Sequence, residues 1–200
     1  MDDEELASAL SAAVRGDPGA FAAVWQATQP AVLRYLRVIV GEAAEDVASE
    51  TWLQAARDLR RFSGAPPAFR VWLFTIARNR AIDEHRRARR RPEEPSDLPD
   101  RNLAAVQPDV AQDVIQKADT DWALSMIASL PQDQAEAVML RVVAGLDVAQ
   151  TAQVLGKRPG AVRIAAMRGL RRLAGHAEVQ ARRRAAGPSL DLHAPRPEGV

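Results

Sequence analysis

"DVAQTAQVLGKRPGAVRIAAMRGL", residues 147–170, has the pattern of two short helices joined by a tight turn. Asp147 occupies the position of a helix N-cap, because an aspartate side chain can accept hydrogen bonds from the backbone N–H groups of the first turn. The apolar side chains that follow recur at helical spacing: Val148, Ala152 and Leu155. Gly156 suits the turn, and Pro159 suits the first turn of the next helix. The stretch therefore predicts a helix-turn-helix.

The second of these two helices is predicted to have an apolar face and a basic face. The inward residues are Val162, Ala166 and Leu170, and the outward residues are Arg163, Met167, Arg168 and Arg171. Between residues 157 and 184, nine Lys or Arg residues stand against Glu178 alone, which favours contact with phosphates. An ordinary helical hairpin with a solvated basic face would have the same pattern. DNA binding is the favoured interpretation of the two.

A second basic helix is predicted in "FRVWLFTIARNRAIDEHRRARRR", residues 69–91. One helical face of its first half is apolar: Phe69, Trp72, Leu73, Ile76 and Ala77. A neighbouring stripe is polar: Asn79, Asp83, Arg86, Arg87 and Arg90. The first half is predicted to lie in a core. The second half is either a solvated helix end or a surface for nucleic acid.

The charge of the chain is strongly sorted although its net value is only +1. Residues 78–91 hold seven arginines and two acids, whereas residues 93–121 hold eight acids and two basic residues. With the basic segment at 157–184, two positive segments flank a negative one. This arrangement predicts two surfaces for an anionic partner, separated by a connector that does not bind it.

The remaining periodic stretches also predict helices. Asp17 and Pro18 begin one that kinks or restarts at Pro30 and ends at Gly41, and residues 42–62 form the next. Residues 92–109 contain four prolines among acidic and small residues, which is typical of a linker. The predicted fold class is all-α, with two small helical domains joined by a flexible acidic, Pro-rich linker. The predicted boundaries are a first domain at 1–91, a linker at 92–112, a second domain at 113–176, and a basic, then Pro-rich, disordered tail at 177–200.

Several classes of function are disfavoured by composition. The chain has no cysteine and three scattered histidines, so neither a thiolate zinc site nor a metal cluster is predicted. No Gly-rich phosphate loop or catalytic triad is visible, and we expect no cofactor and no enzymatic activity. The N-terminus is acidic, and no apolar run approaches the ~18–20 residues that cross a bilayer. We therefore expect a cytoplasmic protein without membrane insertion.

Four blocks in order resemble the extracytoplasmic-function sigma factors of bacterial RNA polymerase. They are "DPGAFAAVWQ", "AEDVASETWLQAARDLRRF", "FRVWLFTIARNRAIDEHRR" and "LPQDQAEAVMLRVVAGLDVAQTAQVLGKRPGAVRIAAMRGLRRL". The resemblance covers roughly residues 15–175. It implies a first domain that binds the beta-prime clamp of the polymerase core and the minus-ten promoter element. It implies a second domain that binds the beta flap and the minus-thirty-five element, and an anti-sigma factor is a usual further partner in the family.

The resemblance also assigns residues to these surfaces. The minus-ten set is Arg61, Phe62, Ser63, Asn79, Arg80, Asp83, Arg86 and Arg87. The minus-thirty-five set is Lys157, Arg158, Gly160, Arg163, Met167, Arg168 and Arg171. The polymerase-binding set is Asp46, Glu50 and Gln54, which share one helical stripe that a solvated face would also explain. In the family, the loop at 61–67 captures an unstacked base.

This sequence departs from the family pattern at several positions. Trp72-Leu73 stands where primary sigma factors carry two tryptophans, which suggests stronger dependence on promoter sequence. Ala161 and Ala165 stand where polar residues are common, which weakens the expectation for individual minus-thirty-five contacts. The alternative function is a free-standing helix-turn-helix regulator. That function would not explain the arginine-rich end of the helix at 69–91 or the polar stripe in "AEDVASET". A helical nuclease is disfavoured because carboxylates and histidines at metal-ligand spacing are lacking.

Overall fold

The computed structural model describes residues 1–90 and 111–185, and these residues contain helices and turns but no strand. The helices are α1 (Asp3–Val14), α2 (Pro18–Val40), α3 (Ala44–Asp58), α4 (Pro66–Arg90), α5 (Ala111–Ala128), α6 (Gln132–Val138), α7 (Val148–Leu155), α8 (Pro159–Gly175) and α9 (Ala177–Ala185). We call residues 1–90 the N-terminal unit and residues 111–185 the C-terminal unit. The predicted all-α fold with a helix-turn-helix, here α7 and α8, is confirmed.

The helix limits follow from local sequence. The Asp17 side chain caps α2, and Gly41, with a φ of 59°, ends it. Asp147 and Gln150 form a reciprocal capping box at the start of α7, with hydrogen bonds of 2.8 Å in both directions. Gly156 adopts a left-handed φ of 63°, which L side chains rarely adopt, and so turns the chain into α8.

Three predicted limits differ from the structure. Helix α2 continues through Pro30, so of the predicted kink or restart, the restart does not occur. Helix α3 is shorter than the predicted 42–62, because 3₁₀ turns at Gly41–Ala43 and Leu59–Arg61 flank it. Helix α5 begins at Ala111, inside the predicted linker. Arg91, residues 92–110 of that linker and the tail from 186 lie outside the described residues.

Residues 177–185 were predicted to belong to a disordered tail, but they form α9. Arg182 binds Asp119 of α5 at 2.5 Å, and its guanidinium lies 4.2 Å from the centre of the Trp122 ring. The indole N–H of Trp122 donates a hydrogen bond to Glu178 at 3.2 Å. Contacts with residues about sixty positions earlier therefore order this segment, and its own composition does not reveal them.

Helix α4 lies at the centre of the N-terminal unit. Its predicted core residues Phe69, Leu73, Ile76 and Ala77 are buried, and Trp72 is half-buried. Val71 and Phe74, on other faces, are buried too. The reason is that α4 packs against α1, α2 and α3 and also against α7 of the C-terminal unit. A single apolar stripe therefore underestimates the burial of this helix.

In the C-terminal unit, Val162 is buried as predicted and Ala166 is partly buried, but the predicted burial of Leu170 is wrong, because 49% of it is exposed. Gly169 takes the inward position instead, since it follows Val162 by seven residues, or about two helical turns. A Cβ atom at Gly169 would lie 2.9 Å from Val138 Cγ2 and 3.3 Å from Gln134 Cβ. The missing side chain lets α8 cross α6 closely.

Gly169→Ala is therefore expected to destabilise the fold. Alanine in a helix normally gains ~0.5–1 kcal/mol over glycine, but overpacking a core costs ~1–3 kcal/mol. We expect a net loss of about 1 kcal/mol in the free energy of unfolding, measured by urea denaturation followed by circular dichroism. Gly175→Ala in the same helix is the control, because nothing lies within 4 Å of its Cβ position. A stability gain at Gly169 would contradict the close crossing.

Candidate nucleic-acid interface

Two arginines of the basic half of α4 are bound to α3. Arg80 donates hydrogen bonds from Nε and Nη2 to Gln54 Oε1 at 3.1 and 2.8 Å. Arg87 Nη1 lies 3.1 Å from Glu50 Oε1, and this hydrogen bond is the main cause of the raised pKa of Arg87. Arg80 Nη1 also lies 3.9 Å from the other oxygen of Glu50. Two residues of the predicted polymerase-binding set, Glu50 and Gln54, therefore contact two residues of the predicted minus-ten set.

Because of this pairing, the predicted polymerase-binding residues of α3 differ in how accessible they are. Glu50 and Gln54 are partly buried and bound to arginines, whereas Asp46 is exposed. Asp46 and Glu50, but not Gln54, border a polar hollow of about 400 Å³ between α3 and α4, to which Arg87 also contributes. Asp46 is therefore the carboxylate of the set that is most accessible to a separate basic partner.

A different face of α4 is open to solvent. Asn79 and Arg86 are exposed, and the partner of Arg86 within the described part of the chain is the half-exposed Asp83, in an i,i+3 pair of 3.6 Å. Such exposed pairs contribute little to stability and are easily exchanged for other contacts. These three side chains, spaced by four and three residues, form a continuous polar stripe that does not face α3.

Aromatic residues lie at the beginning of α4. Phe62 lies 5.3 Å from Trp72 and 5.7 Å from Phe69 between ring centres, and Phe62 and Trp72 are both half-buried. Arg61 and Ser63 on either side of Phe62 are exposed. A hollow of about 340 Å³ lies between this loop and α1, with Phe62, Gly64 and Pro66 in its wall. The loop and the start of α4 thus combine a tilted aromatic pair, a cation and a recess.

In the C-terminal unit, all seven residues of the minus-thirty-five set are exposed, but they occupy three places. Lys157, Arg158 and Gly160 lie at the beginning of α8. Arg163, Met167 and Arg171 line a largely apolar groove of about 490 Å³. Arg168 is absent from that groove and points from another side of the helix. Ala165 is buried at 7% exposure, so its side chain is part of the core.

The sequence patterns did not identify Arg141 and Val142, which form the opposite wall of this groove. They lie in a π-helical turn at Met139–Val143, and Val142 is 62% exposed. The Arg141 guanidinium donates a hydrogen bond of 3.1 Å to the carbonyl oxygen of Leu146, which fixes it beside α8. A π turn carries no clear sequence signal, so this cation was not expected here.

The described residues contain no cluster of three or more His, Cys, Asp or Glu that could hold a metal ion. Among the helices of these same residues, none has the length and apolar character to cross a membrane.

Two regions of the chain match known protein families. Residues 24–91 match the family described as Sigma-70 region 2, and residues 120–173 match Sigma-70, region 4. The first match includes α3 and α4, and the second includes the helix-turn-helix.

Similar proteins match over most of the chain. The ECF RNA polymerase sigma factor ShbA of Streptomyces griseus is 34% identical over 190 residues, covering 88% of this chain and 98% of that protein. The ECF RNA polymerase sigma factor SigD of Mycobacterium tuberculosis is 35% identical over 180 residues, covering 86% and 84%. The solved structure of CnrH in complex with the cytosolic domain of CnrY has a TM-score of 0.59 at 21% identity and covers 90% of this chain and 99% of that one. That likeness concerns the fold alone. The two curated relatives and the two regional matches place the chain in the extracytoplasmic-function group of the sigma-70 family.

Proposed function

We propose that the two units divide the work of an RNA polymerase sigma factor, which directs promoter-specific initiation. The N-terminal unit binds the beta-prime clamp of the core enzyme and the minus-ten element. The C-terminal unit binds the beta flap and the minus-thirty-five element. The observation that carries this proposal is the presence of one exposed polar, basic helix face in each unit, on α4 and on α8. The chain itself performs no chemical step, because the polymerase catalyses RNA synthesis. Both act in the cytoplasm.

For the minus-ten element, the exposed stripe of α4 and the loop at 61–67 act together. Asn79 can read base edges, and Arg86 can bind phosphate or base. An unstacked base needs an enclosing recess and an aromatic contact to offset its unstacking. The hollow beside Phe62 supplies the recess, and the half-buried rings of Phe62 and Trp72 supply the aromatic contact. The core position of Phe69 beneath them holds this arrangement in place.

Arg80 and Arg87 have a conditional role in this proposal. In the free chain they bind Gln54 and Glu50, so they reach DNA only after leaving α3 or by sharing these partners. Asn79 and Arg86 are consequently the first residues of α4 to meet the promoter. Arg80 and Arg87 add phosphate contacts when the polymerase engages α3.

For the minus-thirty-five element, the beginning of α8 enters the major groove in the manner of a recognition helix. Lys157 and Arg158 contact backbone phosphates there, and Arg163 and Arg171 flank the groove that Arg141 completes. Met167 provides an apolar surface for thymine methyl groups. An anti-sigma factor would act by covering one of these faces.

The test is elution of the purified chain with core polymerase on promoter DNA. Stable binding to core and promoter-dependent transcription are the expected results. Tight duplex binding without any association with core would instead favour a free-standing helix-turn-helix regulator and overturn the proposal.

Asp46→Lys is expected to weaken binding to core polymerase by at least about tenfold, because it places like charges together where the clamp is basic. The measurement is a titration of labelled chain with core enzyme. Glu4→Lys makes the same change of charge at an exposed site on α1 and should leave the affinity unchanged. Equal effects of the two variants would remove Asp46 from the polymerase surface.

A further inference from the structure

Helix α1 forms one side of the hollow beside Phe62. This hollow, of about 340 Å³, is bordered by Ser11, Val14 and Arg15 of α1 and by Phe62 and Gly64 of the loop. Its volume is at the lower end of the range of pockets that enclose a small molecule, ~300–1,000 Å³. The match to Sigma-70 region 2 begins at residue 24, so α1 lies outside it. The sequence patterns assigned no residue of α1 to a DNA surface.

The polar groups that α1 brings to this hollow are hydrogen-bond donors. Arg15 Nη1 donates a hydrogen bond of 2.8 Å to Ser11 Oγ, and both side chains are exposed. Within the described residues Arg15 has no carboxylate partner, and the Ser11 hydroxyl donates to no other group. A guanidinium has several N–H donors, so the others remain free after this bond. The hydroxyl proton of Ser11 is free as well, because the oxygen serves as the acceptor.

Two more cations lie beside the end of α1. Arg60 and Arg61 belong to the 3₁₀ turn at Leu59–Arg61, which packs against α1, and both are exposed. Arg60 Nη2 lies 3.5 Å from the position that a Cβ atom of Gly16 would occupy, and Gly16 directly follows Arg15. Neither arginine of the turn is ion-paired within the part of the chain that the structure describes. Such a group of open cations suits the phosphates on either side of an unstacked nucleotide.

We infer that the end of α1 reads the unstacked base of the minus-ten element, with Arg15 as the specificity-determining residue and Ser11 as the residue that positions it. This inference rests on the proposed function. A surface that offers only donors complements a base edge with two neighbouring acceptors, such as O6 and N7 of guanine or O2 and N3 of cytosine. Adenine instead has its N6 amino donor beside the N7 acceptor. The site therefore selects guanine or cytosine over adenine at the unstacked position, while Arg60 binds a neighbouring phosphate.

The inference can be tested with holoenzyme, made from the full chain and core polymerase, on partly duplex promoter DNA. The non-template strand is single-stranded over the minus-ten element and carries each of the four bases in turn at every position of that element. The natural chain is expected to prefer guanine or cytosine over adenine by about tenfold at one position, as a bidentate contact to a base does. Arg15→Ala should reduce this preference by about fivefold or more, at that position only.

Arg34→Ala is the matched control, because Arg34 of α2 is exposed, carries the same charge and does not border the hollow. It should leave the base preference unchanged. Arg15→Lys keeps the charge but loses the planar fork of donors, so it should lose the preference while it keeps most of the affinity. A uniform loss of affinity for all four bases in Arg15→Ala would show that Arg15 binds phosphate alone, which would overturn the reading of a base.

The role of Ser11 can be tested in the same assay. Ser11→Ala removes the acceptor that holds Arg15 and should lower the base preference by about threefold, whereas Ser11→Thr keeps a hydroxyl and should preserve it. Equal losses in these two variants would contradict the positioning role. Promoter-dependent transcription by the natural chain, with an unchanged base preference in Arg15→Ala, would reject this inference alone. A natural chain that forms no holoenzyme would reject the proposed function and this inference with it.

Discussion

Leu73→Ala is expected to lower the free energy of unfolding by about 2–5 kcal/mol, because it removes a fully buried side chain and leaves a cavity. Leu73 is 0% exposed and lies in the first half of α4, the helix that forms the core of the N-terminal unit and carries a basic end. The loss should appear as a lower midpoint in urea denaturation followed by circular dichroism.

The matched control for this change is Leu53→Ala on α3, in the same unit. Leu53 is 58% exposed, so the same loss of atoms should alter stability by no more than about 0.5 kcal/mol. A small effect at Leu73, comparable with that at Leu53, would contradict the central position of α4.

Arg163→Ala is expected to weaken binding to promoter DNA by about tenfold to a hundredfold, which corresponds to ~1–3 kcal/mol. Arg163 is exposed in the groove that Arg141 and Arg171 also border, so three cations converge there. The measurement is a titration of polymerase holoenzyme with promoter DNA at several salt concentrations. Loss of a phosphate contact would also reduce the salt slope by about one. Binding of the variant to core polymerase should remain as before.

Arg172→Ala is the control for Arg163→Ala. Arg172 is exposed on the same helix, but nine residues correspond to two and a half turns, so it points from the opposite side. Each variant loses one positive charge, and the two differ only in the side of α8 from which that charge is lost. Equal losses of DNA affinity would show that the groove side of α8 is not the DNA face.

The pairing between α3 and α4 links the two proposed surfaces of the N-terminal unit. Glu50 is predicted to meet polymerase and Arg87 to meet promoter DNA, yet they bind each other in the free chain. A basic partner that attracts Glu50 would therefore weaken the ion pair between Glu50 and Arg87. This order of events agrees with a factor that engages DNA after it has bound the core enzyme.

Much of the fold could be predicted because helix signals are local. Asp17, Gly41, Asp147 and Gly156 determine helix limits through their own side chains or backbone conformations, and the structure places each as predicted. The apolar spacing of α4 likewise identified four of its core residues, Phe69, Leu73, Ile76 and Ala77, but it missed Val71 and Phe74. Leu170 was misassigned because each step of four residues overshoots a full turn by about 40°, which places Leu170 about 80° around the helix from Val162. Gly169 lies within about 20° of Val162 and therefore takes the inward position.

The sequence by itself determined the limits of α2, the helix-turn-helix and the sorting of charge, because each depends on residues close together along the chain. Only the tertiary structure decided which arginines of α4 are available. Arg80 and Arg87 meet partners 26 and 37 positions away on α3, and Arg78 meets Glu136 at a distance of 58 positions. The periodicity of one helix gives the direction of each side chain but not the neighbour in that direction. The packing of α4 against α6 and α7 depends on those neighbours.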